Sequence, residues 1–147
     1  MKYIKKRNRY EAPNVTFLKD NMEAFSYDWW QFVKIIDGKV VFNNYSYSQA
    51  TNKHQRKVRN LMSDLDIKID YFVESACGLQ SIDWFDNAKE ILKENIESIE
   101  KSLASPKRKK KLDEERKEMI AFYKKEIENL YLLEYGSVTY GLLVETH

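Results

Sequence analysis

The sequence holds little of what usually punctuates or staples a small protein. Its 147 residues include a single cysteine, two prolines and four glycines. The lone Cys77 excludes an intrachain disulfide and makes no demand for an oxidising compartment. Scarce proline and glycine leave no room for long flexible linkers. No run approaches the ~20 apolar residues of a membrane span, and the N-terminus lacks the apolar core of a signal peptide. The expectation is a protein of the cytoplasm, or of a host cytoplasm if the gene is viral. An excess of Lys, Asn, Ile and Tyr fits an AT-rich coding genome, such as that of a low-GC bacterium or its phage.

Chemistry-bearing motifs are equally sparse. Two histidines, His54 and His147, and one cysteine offer no CxxC or HExxH spacing, so no metal is expected. Gly38, Gly78, Gly136 and Gly141 form no phosphate-cradling loop, GxSxG is absent, and no cofactor is expected. Asp66 with Asp70 shares one side of an expected strand, too few acids for a metal-dependent nuclease. His54 is the one group suited to general-base work at neutral pH, which gives an unrecognised hydrolase as the remotest reading. A histidine on an apolar helix face is more often a core residue with one nitrogen hydrogen-bonded, and the expectation is against an enzyme.

What is present is hydrophobic patterning and segregated charge. Hydrophobic residues make up 43% and charged residues 33%, a globular balance, and the length suits one domain. Phe32–Ile36 and Lys39–Phe42 flank Asp37-Gly38, the pairing that a type I′ hairpin favours because both turn positions need positive φ. Strands are expected near 31–36 and 39–45, with a short one at Val15–Leu18. A capping box, Ser46 to Gln49, opens a helix over about 48–65 with Ala50, His54, Val58, Leu61, Met62 and Leu65 on one face. Ile67, Ile69, Tyr71 and Val73 alternate with polar neighbours as a half-buried strand does, as do Val138, Tyr140, Leu142 and Val144 around 137–145.

Between them lies a long antiparallel helical hairpin, about 82–104 and 109–134, with Ser81 as N-cap. One arm carries Phe85, Ala88, Leu92, Ile96, Ile99 and Leu103; the other Leu112, Met119, Tyr123, Ile127 and Leu130. Between Leu112 and Met119 only the stem of Arg116 covers the stripe, so the tip reads as loosely packed. The fold class is α+β: a small, mainly antiparallel sheet, one crossing helix and the hairpin, with residues 1–12 as a mobile basic arm.

The formal net charge of +2 conceals three cationic clusters. They are Lys2, Lys5, Lys6, Arg7 and Arg9 in the arm; Lys53, Arg56, Lys57 and Arg59 on the helix; and Lys107, Arg108, Lys109, Lys110 and Lys111 at the hairpin tip. The hairpin arms lean acidic, with Asp83, Asp86, Glu90, Glu94, Glu97 and Glu100 on the first. Such segregation bears on association rather than fold. The first expectation is a regulatory binding protein, encoded by a phage or mobile element, acting like an inhibitor on a host protein of nucleic-acid machinery. The second is direct nucleic-acid binding through the basic helix and tip, where Tyr45 and Tyr47 near the helix start are suited to stacking on bases. The coiled-coil-like hairpin also suits homodimerisation.

Overall fold

The computed structural model describes residues 1–4 and 8–146, with side chains described through Leu133. Its contacts separate into two compact units, Met1–Asn87 and Ala88–His147. The architecture is α+β.

The first unit is built on a seven-stranded sheet in sequence order: β1 (Lys2–Ile4), β2 (Arg9–Ala12), β3 (Val15–Leu18), β4 (Glu23–Ser26), β5 (Trp30–Ile36), β6 (Lys39–Asn43) and β7 (Tyr71–Val73). All pairings are antiparallel except β6 with β7. Direct cross-strand partners share a face, so the register links Tyr3, Tyr10, Phe17, Ala24, Val33, Phe42 and Phe72 into one row across every strand. Helix α1 (Gln49–Asp64) supplies Val58 and Met62 to the same core as Phe17, Ala24, Val33 and Phe42, all fully buried.

The Asp37-Gly38 turn is as the sequence predicts, with φ of 52° and 71°. Within residues 1–12, β1 and β2 pair, and Tyr3 lies 4.8 Å from Tyr10, ring to ring. Lys5, Lys6 and Arg7 fall outside the described residues. Helix α1 is capped by Ser48, whose Oγ accepts from Thr51 N–H at 3.1 Å; Ser46 instead accepts from the Asn52 side chain. The strand expected from Ile67 is shorter, because Asp70 leaves the ladder: its carboxylate accepts from Val40 N–H at 2.8 Å and its own N–H donates to Val40 O.

A buried amide joins these parts. Asn43, fully buried at the end of β6, donates through Nδ2 to Ser75 O (2.9 Å) and Cys77 O (3.3 Å). Its Oδ1 accepts from the N–H groups of Ser75 and Tyr45, both at 3.1 Å. Its backbone carbonyl accepts from Gln55 of α1 at 2.8 Å. The segment so held lies against β5: Leu79 N–H donates to Gln31 O, Gln80 Oε1 accepts from Gln31 N–H, and a Cβ on Gly78 would come within 2.9 Å of Gln31 N. Glycine is therefore required there.

In the second unit, α2 (Trp84–Ala104) and α3 (Asp113–Thr146) pack as a pair, joined by a 3-10 turn at Lys110–Leu112. Ala88, Ile96, Leu130 and Leu133 are buried, and Lys89 Nζ reaches the Tyr131 hydroxyl and ring. Met119 is not part of the buried stripe but 45% exposed, while Ile120 is partly covered. The spacing 116, 120, 123, 127, 130 keeps the three–four alternation of a packed seam, and Met119 lies about 100° away from it. The strand expected at 137–145 is instead the end of α3. Residues 138 and 142, like 140 and 144, are also helical i,i+4 neighbours, and extending a formed helix adds a hydrogen bond per residue without a new nucleus. Among the described residues no helix is long and apolar enough to cross a membrane.

Replacing Asn43 with alanine strands the Ser75 and Tyr45 N–H groups in the interior, so Asn43→Ala is expected to cost about 3 kcal/mol or more in urea unfolding.

Candidate binding surface

Helix α1 has two faces because its sequence sorts by angle at ~100° per residue. Thr51, His54, Gln55, Val58 and Met62 are buried; Lys53, Arg56, Lys57 and Asn60 are exposed on the opposite side. The first turn contains no acid. Among the described residues, none of Lys53, Arg56 and Lys57 has an ion-pair partner. Arg59 differs from its neighbours: it donates to Asn44 Oδ1 at 2.6 Å and lies over the Phe42 ring at 5.5 Å. It is a structural cation, and the exposed basic face consists of the other three. Along its far edge an open cleft of about 280 Å³ is lined by Lys57, Asn60, Leu61 and Asp64 with Met1 and Ala12.

Where α1 begins, aromatic side chains reach solvent. Tyr27 is 46%, Trp29 52% and Tyr47 50% exposed. Trp29 meets Tyr47 edge-on at 6.0 Å, and Tyr47 also rests on the buried Trp30 at 5.6 Å. Tyr27 meets the His54 ring of α1 edge-on at 5.2 Å. The sequence marked Tyr45 and Tyr47 as stacking candidates; Tyr45 is partly buried against the core. Nothing in the sequence reveals the tight turn between β4 and β5 at which Tyr27 and Trp29 are exposed.

His54 sits at the boundary of the two faces, 7% exposed. Its Nδ1 is 2.7 Å from Ser26 Oγ, which lies 3.2 Å from Thr51 Oγ1; Thr51 Oγ1 in turn accepts from Ser48 at 3.1 Å. A serine–histidine pair is the geometry of an activated nucleophile, but Ser26 is fully buried and its hydroxyl is shared inside this chain of hydrogen bonds. Cys77 is not among its partners. Burial first, and the Lys57 charge second, hold His54 below the ordinary histidine value.

The hairpin tip is more ordered than its sequence implies. Asp113 accepts from Arg108 Nε at 3.1 Å and from Arg116 at 3.3 Å. The same arginines donate to the carbonyls of Ser105 and Lys109. Desolvation pushes the Asp113 carboxyl up, but the hydrogen bonds and charges of Arg108 and Arg116 outweigh it and hold it below the usual carboxylate range. Arg108 is therefore part of the clamp, leaving Lys107, Lys109, Lys110 and Lys111 as the exposed cations. Met119 and Phe122, 45% and 58% exposed, lie one turn apart on α3. Asp70 is engaged with Val40, and among the described residues no group of three His, Cys, Asp or Glu could hold a metal.

Two outcomes follow. Neutral His54 favours the fold, and the unfolded chain takes up its proton first as pH falls, so this contribution is complete above about pH 6.5 and is lost below it toward the folded-state value. His54→Gln should flatten that part of a plot of urea midpoint against pH. Asp113→Asn should speed amide hydrogen exchange at Arg108 and Leu112, whose N–H groups bond within the tip, and leave the arms unchanged.

Comparison with known proteins identifies no relative: no family model, no curated protein and no solved structure matches the chain.

Proposed function

We propose that this chain is a non-enzymatic binding protein that takes nucleic acid directly on the basic face of α1. The observation carrying this reading is the exposed set Lys53, Arg56 and Lys57, unpaired among the described residues, on a helix whose start carries exposed rings: Tyr47 just before it with Trp29 against Tyr47, and Tyr27 against His54. Each cation placed on a phosphate releases a condensed counterion, so affinity falls with salt. Arg59 is engaged by its own contacts with Asn44 and Phe42, and the lysines of the tip form a second cationic set.

The test is fluorescence anisotropy of labelled DNA and RNA at several salt concentrations. Three phosphate contacts predict a slope of log K against log salt of about −2 for a single strand. The double variant Arg56→Glu, Lys57→Glu should weaken binding and flatten the slope, with an unchanged melting curve. Absence of binding at low salt would overturn the reading.

A second reading, action on a host protein of nucleic-acid machinery, draws on Met119 and Phe122, which leave an apolar pair in solvent between the exposed charges of Glu118 and Lys124 on α3. A partner helix or a second copy could cover them. Here Met119→Glu with Phe122→Glu should abolish the complex while the α1 variant retains it.

A further inference from the structure

We infer that the surface at the start of α1 selects single-stranded over duplex nucleic acid, with bases stacked on Trp29 and Tyr47 and phosphates on Lys53, Arg56 and Lys57. This rests on the proposed use of the basic face and adds strandedness to it. A duplex keeps its base faces inside the stack, where protruding rings cannot reach them; a single strand offers a π-face at every base. Cations alone would hold either form.

Three observations converge. First, the rings are exposed yet supported: Tyr47 rests on the buried Trp30 and against Trp29, and Tyr27 against His54. A supported ring loses little freedom when a base lands on it. Second, the turn that presents Trp29 is costly. Tyr27 and Asp28 adopt φ of 55° and 65°, the left-handed region that glycine occupies cheaply. The β5–β6 turn solves the same geometry with Asp37-Gly38. A bulky tyrosine held there is strain of the kind that collects at functional sites, and Tyr27 N–H is tied to Asn14 O at 2.7 Å and Trp29 N–H to Ser26 O at 3.4 Å. Third, the charge is polarised. Asp28 is exposed on the aromatic side, whereas the α1 side offers only cations through its first three turns. A polyanion therefore sets its phosphates along α1 and turns its bases toward Trp29 and Tyr47.

The experiment compares the full chain with Trp29→Leu, Tyr47→Leu, Trp29→Phe and the Arg56→Glu, Lys57→Glu double variant. Anisotropy is read on a twelve-nucleotide oligo-dT, the matching oligo-rU and a twelve-base-pair duplex, with folding checked by circular dichroism and melting. Leucine retains apolar bulk and removes the π-face. The inference expects a clear preference for single strands and a loss of roughly 5- to 100-fold for each leucine variant at unchanged salt slope. Trp29→Phe should keep most of the affinity. Preference for the single strand in both the DNA and the RNA arm supports stacking, which needs neither the thymine methyl nor the ribose hydroxyl. Equal affinity for the duplex, or leucine variants that bind as wild type while the charge reversal still weakens binding, would overturn stacking and leave the basic face standing. Loss in Trp29→Leu through unfolding alone is separated by Tyr47→Leu, whose ring is half in solvent. A wild-type chain that binds no oligonucleotide removes both readings.

Discussion

The buried amide of Asn43 is the joint on which the first unit depends. An asparagine side chain in an apolar interior is tolerated only when its donors and acceptor are all engaged, since each orphan costs more than a made bond returns. Here the amide satisfies both backbone groups of the buried Ser75, which would otherwise lack these partners, and bonds the partly covered backbone of Tyr45 and Cys77. The chain leaves the sheet at Asn43, crosses through α1 and returns as β7, whose last residue Val73 pairs in register with Asn43. Gln55 closes the joint from the helix side. One residue thus fixes where the crossing begins and where it ends, and so the pitch at which α1 lies across the sheet.

That placement was only partly legible in the sequence. The Asp37-Gly38 hairpin and α1 were readable because they obey strong local rules: a turn that needs positive φ, and an apolar stripe of helical period. Of the meander before them only the strand Val15–Leu18 was read, as a short β segment, and it is β3. The meander's turns put Asn8, Asn14, Met22, Tyr27 and Asp28 at positive φ with no glycine to mark them, and a proline, Pro13, stands at only one. Its strands of three and four residues are too short for alternation to be seen. Tyr3, Tyr10, Phe17 and Ala24 recur every seven residues, a spacing better known from helices, and become neighbours only through strand pairing. Asn43 was silent for the same reason. Its value is long-range, a contact across about thirty residues, and no local rule reports it.

The charge clusters were visible, but the sequence could not say which cations remain available. Arg59 and Arg108 are planar forks that their surroundings absorb, one by an amide and an aromatic ring, the other by a carboxylate. Both carry guanidinium groups, which lose less hydration than an ammonium on entering a structural contact. The exposed remainder is mostly lysine. His54 was correctly placed on the apolar face, yet its partner Ser26 came from a segment of β4 that the sequence did not mark as a strand.

Lysine and tryptophan divide the labour of such a surface. An ammonium is a strongly hydrated point charge with no preferred plane, so in the proposed reading Lys53 and Lys57 attract a polyanion without reading its bases. An indole has a plane and no charge, so Trp29 contributes nothing at long range and acts only after contact. The tip holds four exposed lysines and no exposed aromatic ring between Ser105 and Lys117, which fits it for attraction alone. The start of α1 holds both kinds of group, with the rings braced by Trp30 and His54. In the proposed reading attraction is available from either unit, while the braced pair of rings that stacks on bases belongs to the first.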